Sequence, residues 1–174
     1  MQFRLFASCA VVAIALAGTP LAALADGPLS VTIGPAFVTQ STARTIGGTV
    51  QTNVGAAYDF GPKTIVPVRA SLQFDYAGGA SNGGALRDYG VGIAGRLTTP
   101  ICIGAGVSLY SVSASIPSGT SVSKTGIGSN YFIGQKIIDV PGGIDISLQA
   151  TYRQVPQVNG IDPSGLAVGL RIGL

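Results

Sequence analysis

The sequence predicts an all-β fold: an eight-stranded antiparallel up-and-down transmembrane β-barrel with a packed polar interior. Three observations carry this. Beyond the N-terminal segment, hydrophobicity repeats with a period of two in eight successive segments, which places alternate side chains on opposite faces of a strand. The hydrophobic fraction is 47% but charged residues make up only 10%, well below the roughly 25% of soluble domains. No later apolar stretch reaches the roughly 20 residues that a membrane-spanning helix needs, so a crossing has to be made by strands.

The first segment reads as an export signal over residues 1–25. Arg4 supplies the positive start, Leu5 to Leu16 the apolar stretch, and Ala23-Leu24-Ala25 the small-x-small cleavage site before Asp26. An uncleaved helical anchor is disfavoured by the short apolar run, broken by Gly18 and Pro20. Residues 26–174 are then one domain, the barrel. Cys9 lies inside the signal, ahead of most of its apolar run and so not placed for lipid attachment, and Cys102 is the other cysteine of the chain. The barrel therefore has no intrachain disulfide to rely on.

The strands follow in order. The first sets Leu29, Val31, Ile33 and Phe37 against Ser30, Thr32, Gly34 and Ala36. The second sets Val50, Val54, Ala56 and Tyr58 against Gln51, Asn53, Gly55 and Asp59. The third is the clearest, with Val66, Val68, Ala70, Leu72, Phe74 and Tyr76 opposite Arg69, Ser71, Gln73 and Asp75. The fourth opposes Tyr89, Val91, Ile93 and Leu97 to Asp88, Gly90, Gly92, Ala94 and Arg96, and the fifth opposes Ile101, Ile103, Val107 and Leu109 to Cys102, Gly104, Gly106 and Ser108. In the sixth, Ile127, Tyr131, Ile133 and Ile137 share a face with Ser129 and Gln135, opposite Asn130, Phe132 and Lys136. That mixed pattern predicts a bulge. The seventh sets Ile144, Ile146, Leu148, Ala150 and Tyr152 against Asp145, Ser147, Gln149, Thr151 and Arg153; the eighth sets Leu166, Val168, Leu170, Ile172 and Leu174 against Ala167, Gly169, Arg171 and Gly173.

Connections alternate in length. Short turns are expected at Gly61-Pro62-Lys63, Thr98-Thr99-Pro100 and Asp139 to Gly143, and longer solvated loops at Thr39 to Ile46, Ala77 to Leu86, Ile116 to Lys124 and Val155 to Ser164. Tight turns at one end and longer loops at the other are the layout of an outer-membrane barrel. Phe37, Phe74, Tyr76, Tyr89 and Tyr152 form an expected outer aromatic girdle, with Tyr58 and Phe60 at the short-turn end; Tyr131 fits neither belt.

A barrel of eight strands has an interior just wide enough for side chains. The inward set contains Arg69, Arg96, Lys136, Arg153 and Arg171 with Asp59, Asp75, Asp88 and Asp145, which predicts a salt-bridged structural network filling the lumen. Glycines gather on the same face, among them Gly90, Gly92, Gly104, Gly106 and Gly128, and are expected to give room to the long Arg side chains. Gly90-x-Gly92-x-x-Gly95 spells a dinucleotide fingerprint but lies within an alternating strand, with no helix opening after it.

Catalysis is constrained by composition, because the chain has no His and no Glu. Serine–histidine chemistry and His or Cys metal clusters are excluded, and no enzyme activity or cofactor is expected. The formal charge of +3 is scattered, so nucleic acid is not an expected partner.

The export signal, eight alternating segments and alternating loop lengths together resemble the small outer-membrane barrels of Gram-negative bacteria: the outer membrane protein A transmembrane domain, outer membrane protein X and the opacity proteins. The resemblance implies residence in the outer membrane, with lipid and lipopolysaccharide around the barrel and the barrel assembly machinery as partner during biogenesis. Such barrels commonly end in an aromatic residue, where this sequence has Leu174. The expected role is structural or surface-interacting (adhesin-like), with a ligand taken through the long loops. The alternative is a narrow pore or small-ligand conduit.

Overall fold

The computed structural model describes residues 29–60, 68–98, 101–140 and 144–174. The export signal with its cleavage site before Asp26, Val66 and most of the three expected short turns lie outside the described residues. Among those described, strands β1 (Leu29–Val38), β2 (Val50–Phe60), β3 (Val68–Ser81), β4 (Gly84–Thr98), β5 (Ile101–Ser115), β6 (Ser121–Val140), β7 (Ile144–Gln154) and β8 (Gly165–Gly173) pair in sequence order and close into one barrel. Every pair is antiparallel, including β8 with β1, so the sheet has no open edge. The expected fold is the one found.

The register fixes the stagger. Partners starting from Leu29 run through Tyr58, Leu72, Ile93, Val107, Ser129 and Gln154. Gln154 lies one residue beyond Arg153, whose partner Gly165 faces Val38, so the path regains β1 at Thr39, ten residues above its start. Thr39 N–H donates to the Ser164 carbonyl at 3.2 Å, which closes that step. A stagger of this kind tilts strands by about 35–45° to the barrel axis.

The alternating faces sort as expected. Ile33, Tyr58, Leu72, Ile93, Val107, Ile133, Leu148 and Leu170, one from each strand, are exposed on the outside. Ser30, Asn53, Ser71, Arg96, Ser108, Asn130, Ser147 and Ala167, again one from each, are buried inside. The predicted bulge in β6 is present, since the register with β7 shifts between Lys136 and Ile138. Both Ile137 and Ile138 are thereby exposed on the outside.

The long-loop end departs from expectation in four places. Thr39 to Ile46 is not a solvated loop but holds a short helix, α1 (Ser41–Gly47), whose Ala43 and Ile46 are buried. Ala77 to Leu86 is not a loop, because β3 and β4 continue to a two-residue turn at Asn82-Gly83. Both turn residues have positive φ, 50° and 79°, as the hairpin turn that best matches strand twist requires. Likewise β6 already begins at Ser121, leaving only residues 116–120 as the connection from β5. Val155 to Ser164 is a connection without strand or helix, as expected, but not a solvated one: it folds back on itself through a bridge between Val158 and Ile161 around Asn159-Gly160 and buries Val155, Val158 and Ile161.

Candidate functional site: the lumen and its capped mouth

The inward side chains form layers. Nearest the short-turn end, Asp59 accepts a contact from Arg96 and lies 3.8 Å from Arg69 and 3.9 Å from Arg171. Arg171 also donates to the Ser30 hydroxyl at 3.0–3.1 Å. Asp145 stands across from Gly173, close enough to act electrostatically on Arg96 and Arg171. Three guanidinium groups and two carboxylates from five different strands thus meet here, which ties together strands far apart in sequence. Lys136 sits opposite Ser147 near the same end and is exposed.

Above this cluster the lumen is held by amides. Gln73 donates to the Asn130 side-chain oxygen at 3.2 Å, Asn130 reaches Asp75 at 3.5 Å, and Asn53 donates to the Tyr76 carbonyl at 2.9 Å. A cavity of about 40 Å³ lies here, lined by Gln73, Asp75, Arg96, Asn130, Arg153 and Arg171 among others. That is room for about three waters, not for a channel.

The next layer is the buried ion pair of Arg153 and Asp88. The Arg153 guanidinium lies 5.6 Å from the centroid of the Tyr110 ring, within the range of a cation–π contact. Tyr110 itself is fully buried, in a slot cut by glycines: a Cβ at Gly90 or at Gly128 would run into its ring. A Cβ at Gly104 would likewise meet the Phe132 ring. The expectation that inward glycines make room for Arg side chains is corrected at these positions. They make room for two aromatic rings, because a narrow, tilted barrel brings a residue on one strand over the backbone of the next.

The top layer is apolar. Val38, Ala43, Ile46, Leu86, Tyr110, Val112, Ala114, Val155, Val158 and Ile161 form one buried cluster inside the long-loop end, with Ile116 and Val122 packed against it. The polar interior is therefore sealed at its mouth by a hydrophobic plug. Hydrogen bonds hold the plug's cover in place. The Gln40 side chain donates to the Gly160 carbonyl at 2.8 Å and accepts from the Asp162 N–H at 2.6 Å, and Thr39 Oγ1 donates to the Ser164 carbonyl at 3.0 Å. Ser164 accepts from the Val155 N–H at 2.9 Å and Arg44 Nε donates to the Val38 carbonyl at 2.8 Å. The helix and the β7–β8 connection thus form one lid.

Of the expected lumen network, the geometry brings Asp59, Arg69, Arg96 and Arg171 into one ion-pair cluster with Asp145 beside it, and Asp88 and Arg153 into a second with Asp75 beside it. The apolar plug was not expected. Its signal was present in Tyr110, Val112 and Ala114, which alternate with Ser111, Ser113 and Ser115 in the same strand. On the outside, Tyr76 and Tyr89 are cross-strand partners with ring centroids 5.0 Å apart, and Tyr58 and Phe60 are 5.2 Å apart. Tyr131, expected to stand outside both belts, is the direct partner of Tyr152 and so joins the girdle on that side.

This is the fold of the small eight-stranded outer-membrane β-barrels. The chain is similar to Neisserial surface protein A, with a TM-score of 0.57 and 18% sequence identity over 84% of this chain and 96% of that one. The structure of Ail, the attachment invasion locus protein of Yersinia pestis, in complex with the heparin analogue sucrose octasulfate, gives a TM-score of 0.45 and 13% identity over 83% of this chain and 93% of its own. No protein-family model matches the sequence, and no curated protein matches it.

Proposed function

We propose that this chain is a non-enzymatic integral protein of the bacterial outer membrane, with an envelope-structural or surface-interacting role. The carrying observation is the continuous outer belt of exposed Ile, Leu, Val and Tyr contributed by all eight strands. In water a belt of this extent would far exceed the few hundred Å² of contiguous apolar surface that a soluble monomer tolerates. In hydrocarbon it is the required face, and barrel closure gives every strand a partner on both of its edges, which is what backbone groups need there. Export through the signal of residues 1–25 and delivery to the barrel assembly machinery belong to the same reading. The absence of His and Glu from the sequence supports a role without acid–base catalysis.

A surface role is supported by the lid, which holds α1 and the β7–β8 connection as a folded platform rather than as loose loops. The conduit reading is disfavoured by the plug, since an ion would have to pass the fully buried Leu86 and Val112. Two measurements test the proposal. Sucrose-gradient fractionation should place the protein in the outer membrane, with a mature mass that starts at Asp26; recovery from the soluble periplasm would contradict it. Refolded protein in planar bilayers should give no steady conductance, whereas channels altered by Arg153→Ala would establish the conduit instead.

A further inference from the structure

The guanidinium groups of Arg96, Arg153 and Arg171 all line the lumen cavity of about 40 Å³, and Asp75 is the one carboxylate among its described lining residues. Arg96 and Arg153 each direct a terminal nitrogen at Asp59 and Asp88 respectively, on side chains only 3% exposed. The Nε–H of each is buried without a hydrogen-bond partner. The amides around the cavity are already committed: Gln73 donates to Asn130, Asn130 to Asp75, and Gln149 to the Thr151 hydroxyl at 3.0 Å. A buried donor left unpaired is costly, more so on a charged group. The cavity therefore calls for an acceptor that two separate guanidinium groups can reach.

Charge points the same way. The layer at the short-turn end sets Arg69, Arg96 and Arg171 against Asp59 and Asp145, an excess of one positive charge among its described buried and half-buried residues. Asp75 and Asp88 outnumber Arg153 one layer up, but Asp75 stands four residues along β3 from Ser71, the partner of Asp59. That is roughly 13 Å of strand, which groups Asp75 with Arg153 rather than with the lower guanidinium groups. Side-chain exposure rises from 3% at Arg96 through 13% at Arg171 to 37% at Arg69. The cavity is thus approached from the short-turn end, and the apolar plug closes the other.

We infer that the lumen cavity is a dead-end binding site for a small monovalent inorganic anion of chloride size, held by Arg96 and Arg171 with Arg153 above. A halide accepts from several N–H groups at once, brings no proton that would need an acceptor of its own, and cancels the excess charge of the lower layer. Guanidinium groups are weakly hydrated and suited to pairing with an anion away from water. The volume is room for about three waters, hence for one halide with water beside it and not for a sugar or a nucleotide. The site lies wholly inside the barrel, so its test is independent of where the barrel resides.

The refolded protein is unfolded thermally in sodium chloride and in sodium gluconate of equal ionic strength; gluconate is too large for the cavity, and general screening is common to both. The expected result is an unfolding midpoint shifted upward in chloride relative to gluconate, as a ligand of the folded state alone produces. Arg87→Gln, which removes a cation set between the buried Leu86 and Asp88 and so on the opposite, outward face of β4, should keep that difference. Arg171→Gln should abolish it, and Asp75→Asn, by removing a like charge from the lining, should reach half of the shift at several-fold lower chloride. Crystals of the unaltered protein soaked in bromide should show an anomalous-scattering peak beside Arg96 and Arg171, a readout that needs no variant to fold. Equal midpoints in chloride and gluconate, a chloride shift that survives Arg171→Gln in folded protein, or a cavity that holds only water in the bromide-soaked crystals overturns the anion site.

Discussion

At the residue scale, the barrel interior depends on groups that cannot be removed singly. Arg153 and Asp88 are both buried and meet one another, so truncating either strands the other's charge away from water. Arg153→Ala should cost about 3–5 kcal/mol, read as a lowered urea midpoint of the refolded barrel in vesicles. The double variant with Asp88→Ala should lose less than the sum of the two single losses; strict additivity would show that the pair is not coupled. Gly90→Ala should cost about 1–3 kcal/mol by overpacking, because the new methyl meets the Tyr110 ring and that ring has no free side to turn toward. Pairing it with Tyr110→Leu should restore part of the loss. Which residues face inward was legible from the period-two pattern of every strand. Which Arg meets which Asp was not, since Asp59 on β2 reaches Arg96 on β4 and Arg171 on β8 only through the stagger, and stagger is a property of the closed sheet.

At the level of elements, the strands were legible and the mouth was not, for physical reasons that can be named. Tyr110 to Ser115 alternates as regularly as the rest of β5, but its faces are exchanged, so it reads as the end of a strand rather than its continuation. Asn82-Gly83 carried the strongest short hairpin signal available, hidden because glycine-rich flanks on both sides read as loop. Helix α1 has seven residues, too few to show a helical period. It is held by burial of Ala43 and Ile46 and by the anchoring of the adjoining Gln40, not by intrinsic propensity. Two substitutions separate these contributions. Leu86→Ala, in the centre of the plug, should cost about 2–5 kcal/mol through the cavity it leaves. Gln40→Ala should barely change global stability but should speed amide exchange and protease cleavage in α1 and residues 155–164, while the strands stay protected. Uniform loss of protection across the barrel would contradict a lid that is held separately.

For the whole molecule, sealing and embedding follow from one rule applied twice. Alternation puts apolar side chains outward along the waist, the face suited to hydrocarbon on the proposed reading, and inward at the mouth, so a single narrow barrel has a greasy waist and a greasy mouth plug. The composition foretold the waist, since 10% charged residues cannot clothe a water-facing barrel of this length. The likeness to Neisserial surface protein A covers nearly all of that chain and agrees with the same architecture. The most direct test is electrophoretic: outer membranes containing the protein are run unboiled and boiled in detergent. A closed barrel embedded by its belt resists detergent until heated, so the unboiled sample should migrate differently from the boiled one. Identical migration, with the protein released into the soluble fraction, would mean that the exposed belt is covered by something other than lipid and that the chain is not a membrane barrel.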